Sequence, residues 1–229
     1  MKHCTGRIAL VTGGSRGIGN AIALKLATEN FKVVIADITS PEKTHENITY
    51  YYCDLTKGKD IDKLHSDVLG EIGEPDLIVL NAGIGIHELL TEGDPEKWQY
   101  LININVMAAL RCIRSFVPLL VKNKKGDVVF ISSVAANKPY CYGGIYSASK
   151  TALDMIAETL RLETSPCIRV TIIRAGATAT NFFSTSGNLP KDNGILHAED
   201  IAEDVFYAIN KPDGKQINMI ITRPANQEF

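Results

Sequence analysis

Cysteine is scarce in this sequence, and the cysteines present do not form pairs. None of the five belongs to a C-x-x-C motif, and their number is odd: Cys4, Cys53, Cys112, Cys141 and Cys167. Small disulfide-bonded scaffolds and zinc sites depend on paired cysteines. The sequence therefore predicts neither a disulfide framework nor a metal site, and it favours reduced thiols in a cytoplasmic protein.

An excess of charge of either sign is also missing. Lys and Arg number 24 and Asp and Glu number 26, so the formal net charge is −2. Nucleic-acid and acidic-membrane binding need clustered positive charge, and neither partner is expected. No apolar run approaches the roughly 20 residues that cross a bilayer, and the N-terminus has no signal-peptide pattern. Neither a membrane span nor a secretory leader is predicted.

The apolar content is sufficient for one sizeable core. Of the 229 residues, 45% are hydrophobic, which predicts a single domain over residues 1–229. Strand patterns are found at 8–12, 32–37, 48–52, 76–80, 126–131, 168–173 and 216–221, and helical patterns at 18–30, 61–72, 101–121, from 146 and from 198. This alternation predicts an α/β, doubly wound domain with parallel strands and helices on both faces of the sheet.

A glycine-rich loop joins the first predicted strand to the first helix. Gly13, Gly17 and Gly19 have the spacing G-x-x-x-G-x-G. Glycine lets the backbone turn tightly and approach a pyrophosphate, and the helix N-terminus presents unpaired N–H groups to the anion. A plain strand-to-helix turn is the alternative, but the position in a first βαβ unit favours a dinucleotide site. The predicted phosphate-binding residues are Gly13, Ser15, Arg16, Gly17, Ile18 and Gly19.

Asp37 and Arg16 bear on which dinucleotide binds. Asp37 ends the second predicted strand, where an acid accepts hydrogen bonds from the adenosine ribose hydroxyls and repels a 2′-phosphate. This favours NAD(H). The guanidinium of Arg16 attracts that phosphate, so NADP(H) stays open. The alternative for Asp37 is an ordinary turn or capping aspartate.

Two further strand ends carry candidate cofactor contacts. Asp54 and Leu55 follow the third strand, where Asp54 either accepts a hydrogen bond from the adenine amino group or caps the next helix. Asn81, Ala82 and Gly83 follow the fourth strand. Small residues there let the backbone lie against a flat ligand, and the alternative is a plain strand-ending turn.

Three tyrosines, Tyr140, Tyr142 and Tyr146, precede Lys150. A phenol has a reference pKa of about 10 and is a poor base unless a nearby cation favours the phenolate. Tyr146 and Lys150 are four residues apart, so on a helix they share one face, whereas glycines separate the other two tyrosines from the lysine. Ser133 ends the fifth strand and is placed to contact a substrate carbonyl in the same cleft.

These features together resemble the short-chain dehydrogenase/reductase family over about 8–221: the glycine loop, Asn81-Ala82-Gly83, Asn105, Ser133, Tyr146 and Lys150. The resemblance implies a Rossmann-type domain with a seven-stranded parallel sheet and a nicotinamide cofactor across the strand ends. It implies Tyr146 as the general acid/base and Ser133 as the group that polarises the carbonyl. It also implies that Lys150 lowers the tyrosine pKa and binds the nicotinamide ribose. Asn105 would hold a water in a proton relay, although alone it predicts only a buried amide that braces a helix.

Two segments depart from the family pattern. After the sixth strand Ala175 stands where the family usually has proline, so the loop is less constrained in φ. The nicotinamide contacts expected in this loop are Gly176, Thr178 and Thr180. The C-terminal end resembles that of sepiapterin-reductase-like and hydroxy-acid-dehydrogenase-like members.

The resemblance implies an enzyme that transfers a hydride between a nicotinamide cofactor and a carbonyl or secondary alcohol. A 3-oxoacyl (carrier-protein) reductase or a general carbonyl reductase is expected first. A sepiapterin-reductase-like or hydroxy-acid dehydrogenase activity is the runner-up, and a dinucleotide-binding sensor without turnover is the remote alternative. Family members are often tetramers, so a homodimer or homotetramer is expected, with contacts through helix 101–121 and the helix after Tyr146.

Substrate specificity is expected to depend on a long loop at 181–198, rich in Ser, Asn, Gly and Pro, which is typical of a lid. Phe182, Phe183 and Leu189 make part of it apolar. The sequence leaves open whether Tyr140, Tyr142 and His87 line the pocket or lie on the surface.

Overall fold

Seven parallel strands form one sheet in the order β3-β2-β1-β4-β5-β6-β7. The structure is a computed structural model that describes residues 6–180, 182, 194–212 and 214–227. The strands are β1 (Ile8–Thr12), β2 (Lys32–Asp37), β3 (Ile48–Tyr52), β4 (Leu77–Leu80), β5 (Asp127–Ser133), β6 (Arg169–Ala175) and β7 (Met219–Thr222). The prediction of a doubly wound α/β domain with a seven-stranded parallel sheet is confirmed.

Helices cover both faces of this sheet. They are α1 (Gly17–Thr28), α2 (Gly58–Glu71), α3 (Pro95–Ile102), α4 (Ala108–Asn123), α5 (Gly144–Thr164) and α6 (Ala198–Ile209). One core cluster packs α2, α4 and α5 on one face, and a second packs α1 and α6 on the other. The central strands are buried on both sides, which explains why β1 and β4 are continuous apolar runs rather than alternating ones.

The strand order places a switch point beside β1. The chain moves outward from β1 through β2 to β3, then returns to β4 on the other side of β1. Crossover connections diverge at such a point and leave a crevice beyond the carboxyl ends of the strands. The segments after β1, β2, β4, β5 and β6 all meet there.

The predicted helix at 101–121 is longer and less regular than the sequence indicated. Helix begins at Pro95 after Asp94, whose side chain accepts a hydrogen bond from the Glu96 backbone N–H at 3.0 Å. A five-residue π-helical segment, Asn103–Met107, then joins α3 to α4. The sequence analysis did not predict this segment.

The combined segment Pro95–Asn123 is long and apolar enough to cross a membrane by length and composition alone, with a mean hydropathy of 1.6. The expectation that no apolar run approaches such a length is therefore wrong by this measure. Packing explains the composition, because Leu101, Cys112 and Phe116 are each at most 1% exposed inside the domain. Buried core helices pass the same test. The expected cytoplasmic location stays a prediction.

The predicted loop at 181–198 ends one residue early, because α6 begins at Ala198 after His197. Leu196 forms a short parallel bridge with Thr178. Phe182 is described, whereas Phe183 and Leu189 lie outside the described residues, so their predicted role stays untested.

Candidate active site

An open cleft of about 1190 Å³ lies beyond the carboxyl ends of the strands. It is lined by nearly all the predicted site residues: Gly13, Arg16, Gly17, Ile18, Gly19, Asp37, Asp54, Leu55, Asn81, Ala82, Gly83, Ser133, Tyr146, Lys150, Gly176, Thr178 and Thr180. Two predicted residues, Ser15 and Asn105, do not line it. The sheet topology thus brings together residues that are more than 160 positions apart in the chain.

The glycine loop is packed too closely for side chains. Gly13 has φ 63°, and a Cβ on it would lie 2.8 Å from the Ala82 Cα atom. A Cβ on Gly19 would lie 2.2 Å from the Gly13 carbonyl oxygen. The Asn81 side chain braces this turn, because its amide nitrogen donates to the Thr12 and Gly13 carbonyl oxygens, both at 2.9 Å. The loop therefore keeps a bare backbone surface at the start of α1, as an anion cradle requires.

Ser15 lies beneath this loop rather than on the cleft wall. It is 1% exposed. Its backbone N–H donates to Asp37 at 3.0 Å, and its hydroxyl donates to the Thr39 carbonyl oxygen. The structure gives Ser15 the role of tying the glycine loop to the end of β2. The predicted contact between Ser15 and a cofactor phosphate is not favoured by this arrangement.

Asp54 lines the cleft and also accepts local hydrogen bonds. It does not cap α2, which begins after Lys57 without a side-chain cap, and its contact with adenine stays a prediction. One carboxylate oxygen accepts from the Thr56 hydroxyl at 2.7 Å and from its backbone N–H at 3.0 Å. Lys57 pairs with the other oxygen at 3.0 Å. These hydrogen bonds, led by that of the Thr56 hydroxyl, lower the pKa of Asp54 and keep it ionised.

Tyr146 and Lys150 lie one turn apart on α5, as predicted, and Ser133 faces them from the end of β5. The helix begins at Gly144, so Tyr146 is in its first turn. The Lys150 ammonium is 5.9 Å from the Tyr146 ring centroid and donates to the Ile131 carbonyl oxygen at 3.0 Å. The side chains are held rigidly, because Tyr146 is 9% and Lys150 4% exposed.

Burial controls the protonation of both groups. Burial raises the pKa of Tyr146 above its ordinary value, and a hydrogen bond from Ser133 acts in the opposite direction. Burial lowers the pKa of Lys150 to about 8, against the charge of Asp154, which raises it. The expected lowering of the tyrosine pKa by the lysine is therefore not what the protein's own groups produce. The phenol stays protonated at neutral pH and is suited to act as an acid.

Asn105 braces the site from behind. Its side-chain oxygen accepts from the Ile84 backbone N–H at 2.8 Å, and its nitrogen donates to the Ile84 carbonyl oxygen and to the Ser149 hydroxyl, each at 3.0 Å. Ser149 in turn donates to the Tyr146 carbonyl oxygen at 2.7 Å. The structure shows the bracing amide that Asn105 alone predicts. Its role in a water relay stays a prediction.

The loop after β6 is held by the C-terminal segment, which the sequence analysis did not foresee. Gly176 donates its backbone N–H to the Thr222 carbonyl oxygen at 2.7 Å, and Ala177 donates to the Gln227 side chain at 3.0 Å. Thr178 donates its hydroxyl to the Gly176 carbonyl oxygen at 2.9 Å. These contacts fix the loop although Ala175 replaces the proline. Gln227 also lines the cleft, and no motif in the sequence marks it.

A second unforeseen contact lies behind Lys150. Arg174 is the second-to-last residue of β6, and its side chain donates to the Asp154 carboxylate at 2.7 Å. Asp154 is one helical turn after Lys150 on α5 and is 7% exposed. Its other carboxylate oxygen is buried without a hydrogen-bond partner among the described residues. This ion pair ties the helix that carries Tyr146 to the strand that leads into the nicotinamide loop.

Three residues beside Tyr146 complete the wall of the cleft. His87, Tyr140 and Tyr142 all line it, and the two tyrosines are at the same time exposed surface residues. Tyr142 has φ 67° and is 53% exposed. Phe182, from the predicted substrate loop, also lines the cleft.

Comparison with known proteins supports this geometry. A family model described as short chain dehydrogenase matches residues 7–189. An uncharacterized oxidoreductase of Listeria monocytogenes is 30% identical over 97% of this chain and 98% of its own length. A glycine betaine reductase of Emericella nidulans is 30% identical over 97% of this chain, but the chain spans only 19% of that protein.

Solved structures agree with the fold. An alcohol dehydrogenase of Thermococcus sibiricus, complexed with 5-hydroxy-NADP, superposes with a TM-score of 0.87 at 26% identity over 97% of this chain and 98% of that one. The family model covers the glycine loop, the segment with Ser133, Tyr146 and Lys150, and the strands between them. The chain therefore belongs to the short-chain dehydrogenase/reductase family of oxidoreductases.

Proposed function

We propose that this protein reduces the carbonyl group of a small ketone or aldehyde with a nicotinamide cofactor. The observation that carries the proposal is that half-buried Ser133 meets buried Tyr146 and Lys150 at the carboxyl ends of the sheet, where burial keeps the phenol protonated. A protonated phenol donates a proton to a carbonyl oxygen, as reduction requires. The phenol is therefore in the protonation state that the reduction step needs at neutral pH.

The cleft fits a nicotinamide dinucleotide. Gly13 and Gly19 form a cradle that a Cβ would fill, and it opens on the first turn of α1. From this cradle the cleft extends to Asp37 and Leu55 on the β2–β3 side of β1, and past Gly83 to Lys150 on the other side. A volume of about 1190 Å³ exceeds the usual range of pockets for one drug-sized ligand, so it accommodates a dinucleotide beside a small substrate.

Each residue has a defined part in the proposed reaction. The cofactor, when bound, supplies the hydride that the carbonyl carbon accepts. Ser133 donates a hydrogen bond to the carbonyl oxygen and favours the negative charge that develops on it. Tyr146 transfers its proton to that oxygen, which yields the alcohol. Lys150, when protonated, favours the phenolate that remains.

The cofactor preference is proposed on the charges at the end of β2. The Asp37 carboxylate lines the cleft and supports NAD(H), because it would repel a 2′-phosphate. Arg16 also lines the cleft, and it supports NADP(H) because its guanidinium would attract that phosphate. The solved neighbour from Thermococcus sibiricus holds an NADP derivative. NAD(H) stays the prediction for this chain, and NADP(H) is the alternative that the assay below distinguishes.

The substrate is proposed as a general small carbonyl compound, with a 3-oxoacyl thioester on a carrier protein as the second choice. His87, Tyr140 and Phe182 give the cleft a largely aromatic wall beside Tyr146, which favours a compact substrate. A pterin ketone or a small oxo acid, as in sepiapterin-reductase-like or hydroxy-acid-dehydrogenase-like relatives, is the runner-up.

The test is oxidation of NADH and of NADPH, followed by absorbance, against a panel of carbonyl compounds. The panel holds diketones, aromatic aldehydes, an acetoacetyl thioester, a pterin ketone and small oxo acids. We expect turnover by the unchanged protein and a loss of about 10²- to 10⁴-fold in kcat for Tyr146→Phe, because the proton donor is removed. Cofactor binding, followed by NAD(P)H fluorescence, should stay nearly unchanged.

The matched control is Tyr207→Phe on α6, a half-exposed tyrosine outside the cleft, which should keep full turnover. Full turnover by Tyr146→Phe would contradict the role of the phenol. Tight cofactor binding without turnover of any carbonyl would support the remote alternative of a dinucleotide sensor.

A further inference from the structure

Three aromatic rings surround the substrate side of Tyr146. The His87 and Tyr146 ring centroids are 5.9 Å apart, and those of Phe182 and Tyr146 are 5.7 Å apart. The Tyr140 and His87 ring centroids are 5.9 Å apart in a tilted arrangement. A carbonyl compound that reaches the Tyr146 hydroxyl therefore passes along aromatic surface.

A hydrogen bond joins two of these rings across the cleft. The His87 Nε2 atom and the Tyr140 hydroxyl are 2.8 Å apart. His87 belongs to the segment after β4, and Tyr140 to the segment after β5, so the bond connects two loops that are 53 residues apart. Burial lowers the pKa of His87 and raises the pKa of Tyr140 to about 12. Both groups are therefore neutral at pH 7, and the hydrogen bond joins two uncharged side chains.

Two glycines make room for these rings. A Cβ on Gly143 would lie 2.3 Å from the Tyr140 ring, and a Cβ on Gly85 would lie 2.8 Å from Phe182 and 3.0 Å from His87. Real Cβ atoms do not approach ring atoms so closely. The glycines after β4 and β5 therefore leave the space that the rings occupy in these positions.

The charges of the cleft are unevenly distributed. Among the described residues that line it, the carboxylates are Asp37 and Asp54, and both follow strands on the β2–β3 side of β1. His87, Tyr140 and Phe182 lie on the other side, near α5, where the wall offers no carboxylate to a cationic substrate. Lys138 and Lys150 line this side as well, so it disfavours a cationic substrate, and its aromatic surface suits a compound with a flat apolar face.

We propose that the hydrogen-bonded pair His87–Tyr140 is a specificity clamp, which holds the aromatic wall in place and selects small carbonyl compounds with a flat apolar face. This inference rests on the proposed reductase activity. The clamp narrows the approach to Tyr146, so a longer substrate meets the Tyr140 ring. Neither residue takes part in proton transfer to the substrate.

The test compares benzaldehyde with the longer 4-phenylbenzaldehyde in the unchanged protein and in Tyr140→Ala. We expect the unchanged protein to prefer benzaldehyde, and Tyr140→Ala to reduce that preference, measured as the ratio of kcat/KM values, by about 10-fold. The ratio isolates selectivity, because a general loss of activity would lower kcat/KM for both aldehydes equally. Tyr207→Ala, on α6 outside the cleft, is the control and should leave the ratio unchanged.

The hydrogen bond is tested separately with His87→Phe, Tyr140→Phe and the double variant. Each variant removes the bond but keeps an aromatic ring at both positions. Because each single change removes the same bond, the effects on the ratio should be far from additive. Additive effects, or an equal loss of kcat/KM for both aldehydes in Tyr140→Ala, would overturn the clamp. Absence of turnover of every carbonyl by the unchanged protein would instead overturn the proposed function on which the clamp rests.

Discussion

At the scale of single residues, the buried pair Tyr146 and Lys150 shows how the fold sets protonation. Both side chains are almost fully buried, and burial favours the neutral form of each. The groups that oppose burial differ: Ser133 favours the phenolate, and Asp154 favours the ammonium. The chemistry of the site therefore depends on residues behind the catalytic pair as well as on the pair itself.

Asp154 is the first such residue to test, as Asp154→Asn. The Asp154 charge raises the pKa of Lys150, so its removal lowers that pKa further below about 8. Lys150 then loses its proton at a lower pH. If the ammonium is the active form, the alkaline limb of the plot of activity against pH moves to lower pH. At neutral pH the fold-decrease in kcat should exceed the fold-increase in KM. Asp62→Asn on α2, an exposed carboxylate outside the cleft, is the control.

A merely structural role of Asp154 would give a different result. Asparagine can still accept a hydrogen bond from Arg174, so the contact between α5 and β6 is retained in part. Loss of stability with an unchanged alkaline limb would show that the pair only braces the fold.

The same scale shows which site residues the sequence could predict. Tyr146 and Lys150 were found because their relation is local, four residues on one helix. The contacts of Asp154 with Arg174 and of Ala177 with Gln227 join residues 20 and 50 positions apart. Such contacts depend on sheet order and loop path, and no spacing in the sequence reveals them. The hydrogen bonds of Ser15 to Asp37 and Thr39 could not be predicted for the same reason, because these partners come from the end of β2.

At the scale of elements, the sequence predicted the strands well and the helix between β4 and β5 poorly. Buried parallel strands are short apolar runs bounded by loop residues, so their ends are visible. Apolar periodicity does not distinguish α-helix from the five-residue π-helical segment within it. That segment carries Asn105, whose side chain reaches both the loop after β4 and the Ser149 hydroxyl on α5.

We predict that Asn105→Ala loosens this junction. The change removes the hydrogen bonds that the Asn105 side chain makes with the Ile84 backbone N–H, the Ile84 carbonyl oxygen and the Ser149 hydroxyl. Unsatisfied buried polar groups are costly, so the free energy of unfolding should fall by roughly 2–4 kcal/mol, measured by urea denaturation. Activity should fall as well, because Ser149 contacts the Tyr146 backbone. Asn103→Ala, in the same π-helical segment, loses one hydrogen bond to Arg111 and should cost about 1 kcal/mol. Equal losses for the two variants would contradict the bracing role of Asn105.

At the scale of the whole molecule, the alternation of strands and helices was enough to predict the doubly wound sheet. The number of strands came from the family resemblance. The position of β1 between β2 and β4 follows from the crossover rules that govern such sheets. This one feature gathers the loop after each inner strand at a single cleft, and for that reason the site could be predicted in outline although most of its contacts could not.

The exposed outer surface of α4 and α5 predicts that the protein assembles into a homodimer or homotetramer. Apolar side chains stay exposed on the helices of one sheet face: Leu110 is 36% exposed on α4, and Met155 and Leu162 are 65% and 82% exposed on α5. Exposed apolar patches on soluble proteins often mark interfaces. We expect sedimentation at micromolar concentration to show a dimer or tetramer, and Leu110→Glu with Leu162→Glu to shift it towards smaller species, because buried charge opposes association. Lys63→Glu, on the polar surface of α2, should leave the assembly unchanged. A monomer for the unchanged protein would show that these side chains remain solvent-exposed in solution.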